Sequence, residues 1–251
     1  MIKVSGVNKN IKGAKILKDI NLELYEGRVY GFQGRNGSGK TMLFRAIAGL
    51  ITVDSGEIIV NDLKLDNKYF AEDLGLLLEN PSFLKDLSGF DNLLMIASLR
   101  NIIGKERIEE ILKLVDLYEA KDKDFGKYSL GMKQRLAIGQ AIMEYPKILM
   151  LDKPTNAIDE EGIVVLKKII KEEKAKVTIV LLASHEKEII EECADEVFVM
   201  KEGEIVENII FLINQLESVN KNRPLIKSLS KKYISPSYTP NLTYHKYRVF
   251  S

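Results

Sequence analysis

The chain has 251 residues, of which 45 % are hydrophobic and 29 % charged, and this composition excludes a wholly disordered, collagen-like or membrane-embedded protein. Its 37 basic and 36 acidic residues leave a formal charge of +1, so no overall field draws the chain to nucleic acid or to an anionic membrane. The single cysteine, Cys193, excludes an internal disulfide bond and favours a reducing, cytoplasmic setting. The first residues lack the apolar core of a signal peptide, and no apolar run approaches the roughly 18 residues of a membrane span.

The first sixty residues predict strands separated by turns. Apolar or alternating runs occupy residues 2–7, 20–24, 29–32 and 58–60, and the third of these, which does not alternate, is predicted to be buried. From Met42 to Leu50 the apolar spacing becomes helical. A strand, a glycine-rich loop and a helix are therefore expected to follow one another directly.

The remainder predicts a helical insert and then alternating helices and strands. Apolar residues at spacings of three and four predict two amphipathic helices between about 87 and 120. Apolar runs at 148–151 and 177–182 are each preceded by a helical stretch, at 132–143 and 161–173, which predicts a parallel sheet with helical crossovers. A last hairpin, expected to be exposed, is predicted over residues 197–206.

The composition changes after about Asn208. Residues 209–251 contain three of the six prolines, four tyrosines and seven basic residues against one acid, Glu217. We expect a main domain over residues 1–208, followed by a basic, Tyr- and Pro-containing C-terminal appendage. Its basic residues and tyrosines could contact phosphate or lipid headgroups, but a solvated tail is the favoured interpretation.

Residues 34–41 fit the phosphate-loop pattern G-x-x-x-x-G-K-[ST] in full. The loop follows a predicted buried strand and opens a predicted helix, where inward-facing amides and the helix N-terminus bind phosphate. Lys40 would reach the β and γ phosphates, and the Thr41 hydroxyl would bind Mg²⁺. We therefore predict a nucleoside triphosphate site formed by Gly34, Arg35, Asn36, Gly37, Ser38, Gly39, Lys40 and Thr41.

A magnesium site beside this loop also needs a carboxylate at the end of a neighbouring buried strand. The apolar run at 148–151 ends in Asp152, which is the candidate second ligand of Mg²⁺.

Three further motifs occur in order around Asp152. Residues 128–135 (YSLGMKQR), residues 154–159 (PTNAID) and the pair Ser184-His185 resemble the signature motif, the D-loop and the switch histidine of ABC-type ATPases. Together with the phosphate loop, the resemblance covers the chain from residue 1 to about 208. The form of the signature is most similar to ATPase subunits of bacterial exporters for peptide antibiotics, lantibiotics and related toxins.

The resemblance implies an α/β fold: a P-loop (RecA-like) core with a mainly parallel sheet, an antiparallel β subdomain and an α-helical subdomain inserted over about residues 85–141. It also implies a homodimer or heterodimer of nucleotide-binding subunits that closes around ATP and Mg²⁺. This dimer would lie on the cytoplasmic face of the membrane, bound to separate transmembrane permease subunits and to no nucleic acid. Residues 80–94, with Phe83, Leu84, Leu87 and Phe90 expected to be exposed, would receive the membrane partner. The alternative, for about half of these residues, is that they form ordinary core of the helical insert.

Individual roles also follow from the resemblance. Ser129 and Gly131 would contact the γ-phosphate held by the second subunit, and Asp159 belongs to the D-loop beside the nucleotide. His185 would hydrogen-bond the γ-phosphate or the attacking water. Ile11 and Glu79 depart from the family pattern: Ile11 replaces the aromatic residue that stacks on adenine, and Glu79 replaces a glutamine that senses Mg²⁺, which Glu79 could still bind through water.

The largest departure follows Asp152. The family places there a glutamate that polarises the attacking water, whereas this chain has Lys153, whose protonated amine cannot accept a proton. Loss of a general base costs about 10² to 10⁴ in rate, although a cation near the γ-phosphate can stabilise the transferring charge. The sequence thus leaves open a slow transport ATPase and a non-hydrolysing, ATP-dependent clamp or regulatory subunit. A soluble ABC-type ATPase of iron–sulfur cluster assembly has a similar size, but the exporter-like signature argues against it.

Overall fold

The computed structural model describes residues 1–66, 70–78 and 82–210. Glu79 and residues 211–251 lie outside the described residues, so the predictions for Glu79 and for nearly all of the appendage are not examined by the structure. The division into residues 1–208 and 209–251 likewise remains a prediction.

Ten strands and six α-helices occupy the described residues. The strands are β1 (Ile2–Ile11), β2 (Ala14–Leu24), β3 (Val29–Gln33), β4 (Ser55–Val60), β5 (Leu63–Lys64), β6 (Leu74–Leu77), β7 (Ile148–Asp152), β8 (Ile179–Ser184), β9 (Glu196–Lys201) and β10 (Glu204–Ile210). The helices are α1 (Lys40–Ile47), α2 (Gly89–Arg100), α3 (Lys105–Leu114), α4 (Leu130–Ile142), α5 (Glu160–Ala175) and α6 (Lys187–Cys193). Within these ranges, no helix is both long and apolar enough to cross a membrane.

Two sheets organise the described part of the chain. A four-stranded antiparallel sheet has the order β2-β1-β4-β5, and a six-stranded sheet has the order β10-β9-β3-β8-β7-β6. In the larger sheet the neighbours from β9 to β6 pair in parallel, and β10 is added antiparallel to β9. This architecture confirms the predicted P-loop core with an antiparallel β subdomain and an inserted helical subdomain.

The six-stranded sheet separates two hydrophobic cores. Successive residues of a strand face opposite sides, so Leu149 and Leu151 of β7 pack with the core on the side of α2 to α6, whereas Met150 packs with the other core. That second core also contains the apolar residues of α1 and of the antiparallel sheet. Phe32 of β3 packs edge-on against Phe44 of α1, with ring centroids 5.2 Å apart, and thereby fixes the helix against the strand that precedes it.

The predicted exposed hairpin over residues 197–206 is present but is not exposed in its first strand. Strand β9 pairs with β3 inside the sheet, and Val197, Phe198 and Met200 are buried. The four-residue strand β6 and the helix α6 were not predicted, because each is too short to display a clear hydrophobic period.

Candidate nucleotide-binding site

The order of the strands brings the predicted site together at one edge of the larger sheet. Strand β8 lies between β3 and β7, with Gln33 opposite Ser184 and Asp152 opposite Ala183. The carboxyl ends of these three parallel strands therefore coincide, and the segments that follow them carry the phosphate loop, Lys153 and His185. In open α/β sheets this edge is where ligands bind.

The phosphate loop is closed around the side chain of Lys40. The Lys40 Nζ donates to the carbonyl oxygens of Gly34 at 2.6 Å and Arg35 at 3.2 Å and to Ser38 Oγ at 3.3 Å. Ser38 and Lys40 are 5 % exposed, whereas Arg35, Asn36 and Gly37 at the tip of the loop are exposed. The loop thus holds the Lys40 ammonium next to the N-terminus of α1, and this arrangement of positive charge suits a bound triphosphate.

Burial lowers the pKa of the Lys40 amine below its usual value, and the positive charge of Lys153 lowers it further. The carboxylate of Asp152 opposes both effects. Lys153 is therefore close enough to the phosphate loop for its charge to act there.

Thr41 and Asp152 form the predicted magnesium pair. The Thr41 hydroxyl donates to Asp152 Oδ2 at 2.5 Å, and Asp152 is completely buried at the end of β7. Hydroxyl and carboxylate oxygens are the hard ligands that Mg²⁺ prefers, and Mg²⁺ commonly takes its remaining ligands from substrate phosphates and water. The residues present therefore fit a magnesium ion, although the described residues contain no cluster of three or more His, Cys, Asp or Glu side chains that could hold a metal by themselves.

The backbone of Lys153 is fixed from two sides. Its N–H donates to the carbonyl oxygen of Ala183 at 2.8 Å, and its φ of 53° directs the chain away from the sheet. The buried side-chain amide of Gln134 in α4 donates to the carbonyl oxygens of Lys153 at 3.3 Å and Pro154 at 3.2 Å. Gln134 lies within the predicted signature motif, but the sequence analysis assigned it no role.

His185 is exposed one residue beyond β8, at the same sheet edge. The loop after it is held by a hydrogen bond from the Glu186 N–H to Ser184 Oγ at 3.0 Å. Ile11, 37 % exposed at the end of β1, offers apolar surface and no aromatic ring. The roles of both residues remain predictions.

The signature and D-loop residues lie at helix N-termini. Ser129 caps α4, where its Oγ accepts from the Met132 N–H at 3.2 Å, and Asp159 caps α5, where its Oδ1 accepts from the Gly162 N–H at 2.9 Å. Ser129 is nevertheless exposed. Gly131 lies against the carbonyl oxygen of Ala157, so the signature and the D-loop are in contact within one chain.

The expectation that Phe83, Leu84, Leu87 and Phe90 are all exposed is wrong for three of them. Phe83 packs against Phe125 with ring centroids 5.0 Å apart, Leu87 is half-buried, and the ring of Phe90 lies 5.8 Å from the Lys121 ammonium. Leu84 is 52 % exposed. Phe83 and Phe90 pack against the core near Phe125 and Lys121, a contact between segments that the spacing of a single helix does not reveal.

Comparisons with known proteins agree with this geometry. The profile of the family described as "ABC transporter" matches residues 17–156, more than half of the chain. The ABC transporter ATP-binding protein YdbJ of Bacillus subtilis is 38 % identical over 82 % of this chain and 68 % of its own length. The bacitracin transport ATP-binding protein BcrA of Bacillus licheniformis is 36 % identical over 84 % and 70 %, and the lantibiotic transport ATP-binding protein SrtF of Streptococcus pyogenes is 31 % identical over 82 % and 89 %.

Solved structures show the same fold. An ATP-binding subunit of an ABC transporter has a TM-score of 0.77 at 21 % identity and covers 92 % of this chain and 98 % of its own. A dimeric ATP-binding cassette in a post-hydrolysis state, bound to ADP and Pi, has a TM-score of 0.74 at 22 % identity, covering 83 % and 97 %. By its sequence profile, its relatives and its fold, this chain belongs to the ABC transporter family, among the ATP-binding proteins.

Proposed function

We propose that this chain is the ATP-binding motor subunit of an exporter. Two copies, or one copy and a paralogue, close around Mg-ATP on the cytoplasmic face of the membrane and transmit that closure to separate transmembrane subunits. The cargo is a peptide or another small toxic compound. This last step is supported by the relatives named for bacitracin and lantibiotic transport, at 36 % and 31 % identity.

The observation that carries the proposal is the convergence of three strand ends on one edge of the sheet. There the amides of the phosphate loop and the Lys40 ammonium bind phosphate, and the Thr41–Asp152 pair holds the cation. When bound, Mg²⁺ neutralises charge on the β and γ phosphate oxygens. The chain's own residues thus bind and orient the triphosphate, and His185 follows the end of β8 at the same edge of the sheet.

The exposed start of α4 supports action in pairs. Ser129 and the N-terminus of α4 form a surface that favours anions, and Ser129 faces solvent. A second subunit whose bound ATP meets this surface would complete the coordination of the γ-phosphate. The dimeric cassette of the same fold supports this arrangement.

Lys153 favours a second candidate function, an ATP-dependent clamp that does not hydrolyse its nucleotide. Its backbone, fixed by Ala183 and Gln134, follows Asp152 at the same edge of the sheet as the phosphate loop. The position that should supply a general base therefore supplies a cation. Such a subunit would hold a dimer closed, or would pair with an unequal partner that carries the glutamate.

The steady-state ATPase rate of the purified chain, beside Lys153→Glu and Lys153→Gln, separates the two functions. The motor predicts that the unmodified chain hydrolyses ATP at a rate within about tenfold of Lys153→Glu. The clamp predicts that Lys153→Glu is faster by about 10² to 10⁴, the usual contribution of a general base, while the unmodified chain persists as an ATP-bound dimer. Lys153→Gln removes the charge without adding a base and so isolates the effect of charge. No dimerisation with ATP in any of the three would contradict both functions.

A further inference from the structure

The turn between β9 and β10 lies directly against the phosphate loop. Glu202 and Gly203 form its two central positions, with φ values of 51° and 87°, as expected for a two-residue hairpin turn of the mirror-image type. Gly203 is buried, although both of its neighbours, Glu202 and Glu204, are exposed. The turn therefore presents its glycine inward.

The backbone of Gly203 joins the phosphate loop to the antiparallel sheet. Its N–H donates to the carbonyl oxygen of Ser38 at 3.0 Å, and its carbonyl oxygen accepts from the Lys18 N–H of β2 at 2.8 Å. An ion pair between Lys18 and Glu204, at 3.3 Å, adds a side-chain link between the same two segments. The β9–β10 turn is thus hydrogen-bonded both to β2 and to the phosphate loop.

The bond to Ser38 meets a specific need of the phosphate loop. A buried carbonyl without a donor is costly, so each buried carbonyl of the phosphate loop needs a partner. The Gly39 carbonyl is already used inside the helix, where it accepts from the Leu43 N–H at 2.8 Å. The Ser38 carbonyl precedes the helix, and Gly203 supplies its donor.

The position also leaves no room for a side chain. A Cβ at Gly203 would lie 2.6 Å from the carbonyl oxygen of Ile16, which is backbone of β2 and cannot swing aside. Strand β9, which precedes the turn, also packs tightly against the phosphate loop, since a Cβ at Gly34 would lie 2.3 Å from the Met200 carbonyl oxygen. Any side chain at position 203 must therefore push the turn away from β2 and shift the Ser38 carbonyl with it.

We propose that Gly203 is a positioning residue for nucleotide binding: its N–H holds the Ser38 carbonyl so that the phosphate loop is already shaped for the β and γ phosphates. Gly203 touches no phosphate itself. The inference rests on the nucleotide-binding part of the proposed function and does not depend on hydrolysis or export.

The test compares Gly203→Ala with a matched glycine in another turn. Gly27, between β2 and β3 at the opposite end of the sheet, also has a positive φ, 69°, but its Cβ would meet no atom closer than 3.9 Å. Gly27→Ala therefore introduces a similar strain from the positive φ, but it brings no steric clash and lies far from the phosphate loop. Mg-ADP affinity is measured by calorimetry well below the unfolding temperature of each variant, and the nucleotide-free unfolding midpoint is measured on the same samples.

We expect Gly203→Ala to bind Mg-ADP about tenfold or more weakly, as small misplacements of binding groups commonly cause, while Gly27→Ala binds like the unmodified chain. At one fixed Mg-ADP concentration, the rise in unfolding temperature should be smaller for Gly203→Ala than for the unmodified chain, and unchanged for Gly27→Ala. A Gly203→Ala affinity within twofold of Gly27→Ala would overturn the inference and leave the proposed function intact. Failure of the unmodified chain to bind Mg-ADP would overturn both.

If Gly203→Ala does not fold, amide hydrogen exchange on the unmodified chain gives the answer. Mg-ADP should slow exchange in a peptide covering residues 198–206 together with the phosphate loop, because the Gly203 N–H is bonded to that loop. Protection of the phosphate loop with no change in residues 198–206 would refute the positioning role.

Discussion

Single residues of this site serve the fold and the chemistry together. Ser129 and Asp159 cap helices, and Thr41 and Asp152, 111 positions apart in the chain, are hydrogen-bonded to each other and are the predicted ligands of Mg²⁺. A substitution that removes such a side chain removes both contributions. Informative variants must therefore preserve the structural part while changing the chemical part.

The Thr41 hydroxyl can be removed almost isosterically. In Thr41→Val the cation loses one ligand, so we expect the Mg²⁺-dependent part of the ATP affinity to fall about tenfold or more, whereas Thr41→Ser keeps the hydroxyl and most of the affinity. Calorimetric titrations with Mg²⁺ and with EDTA separate the two parts. Equal Mg-ATP affinities in the Val and Ser variants would exclude Thr41 as a ligand.

Cys193, at the end of α6, should react slowly in the folded protein. Burial, with a smaller effect from Glu192, raises the pKa of its thiol from 9.0 to about 11, and Lys167 opposes the shift. At pH 9 the thiolate fraction falls from about one half to about 1 %, so alkylation should be about fiftyfold slower than in urea. Because the folded-state pKa is raised, this group also stabilises the fold less as the pH rises from 9 to about 11.

Mass spectrometry of iodoacetamide-treated native and urea-unfolded protein measures the two rates. If the native protein is alkylated as fast as the unfolded chain, the thiol is accessible and its pKa is not raised.

At the scale of elements, packing between segments decides which apolar residues remain available to a partner. The stretch before α2 is an example, since two adjacent residues in it differ in exposure. Phe83 packs on Phe125, whereas Leu84 is 52 % exposed. Helical or strand periodicity cannot distinguish them, because neither residue lies in a regular element.

Truncation of these two neighbours should have very different effects on stability. Phe83→Ala removes ring packing from a half-buried site and should lower the free energy of unfolding by about 1 to 3 kcal/mol, below the range for fully buried rings. Leu84→Ala should change it by no more than about 0.5 kcal/mol. Urea unfolding of both variants measures the difference. A Leu84→Ala loss as large as that of Phe83→Ala would contradict the packing described for this segment.

At the scale of the whole molecule, the sheet gathers the nucleotide-binding groups of one chain, while the start of α4 faces outward. The exposed Ser129 is therefore a test of the proposed pairing of subunits. Its capping role must be kept while its electrostatics are changed, and Asp and Asn permit this because both are good N-caps.

Ser129→Asp should abolish ATP-dependent dimerisation, because a carboxylate facing the triphosphate of the second subunit is repelled by it. Ser129→Asn, of the same shape and without charge, should retain most of it, and both variants should unfold within about 0.5 kcal/mol of the unmodified chain. Analytical ultracentrifugation with and without Mg-ATP measures the dimer. Undiminished dimerisation of Ser129→Asp would place Ser129 outside the subunit interface.

The boundaries of the main strands and helices were predicted to within a few residues where the hydrophobic period was long or the run was fully buried. Strands β3 and β7 and helices α4 and α5 are of this kind. Strand β6 was missed because four residues containing a glycine carry little signal. Strand β9 was expected to be exposed, because its place between β3 and β10 depends on strand order rather than on its own residues.

The sequence by itself determined the phosphate loop, the acid that ends a buried strand and the order of motifs typical of ABC-type ATPases, because each is contained in a few consecutive residues. Only the tertiary structure decided that Thr41 meets Asp152, that Gln134 holds the backbone of Lys153 and that Gly203 supports the phosphate loop. These contacts join segments far apart in the chain. They depend on the strand order, in which β8 lies between β3 and β7 and β9 lies between β3 and β10, and no local pattern of residues specifies that order.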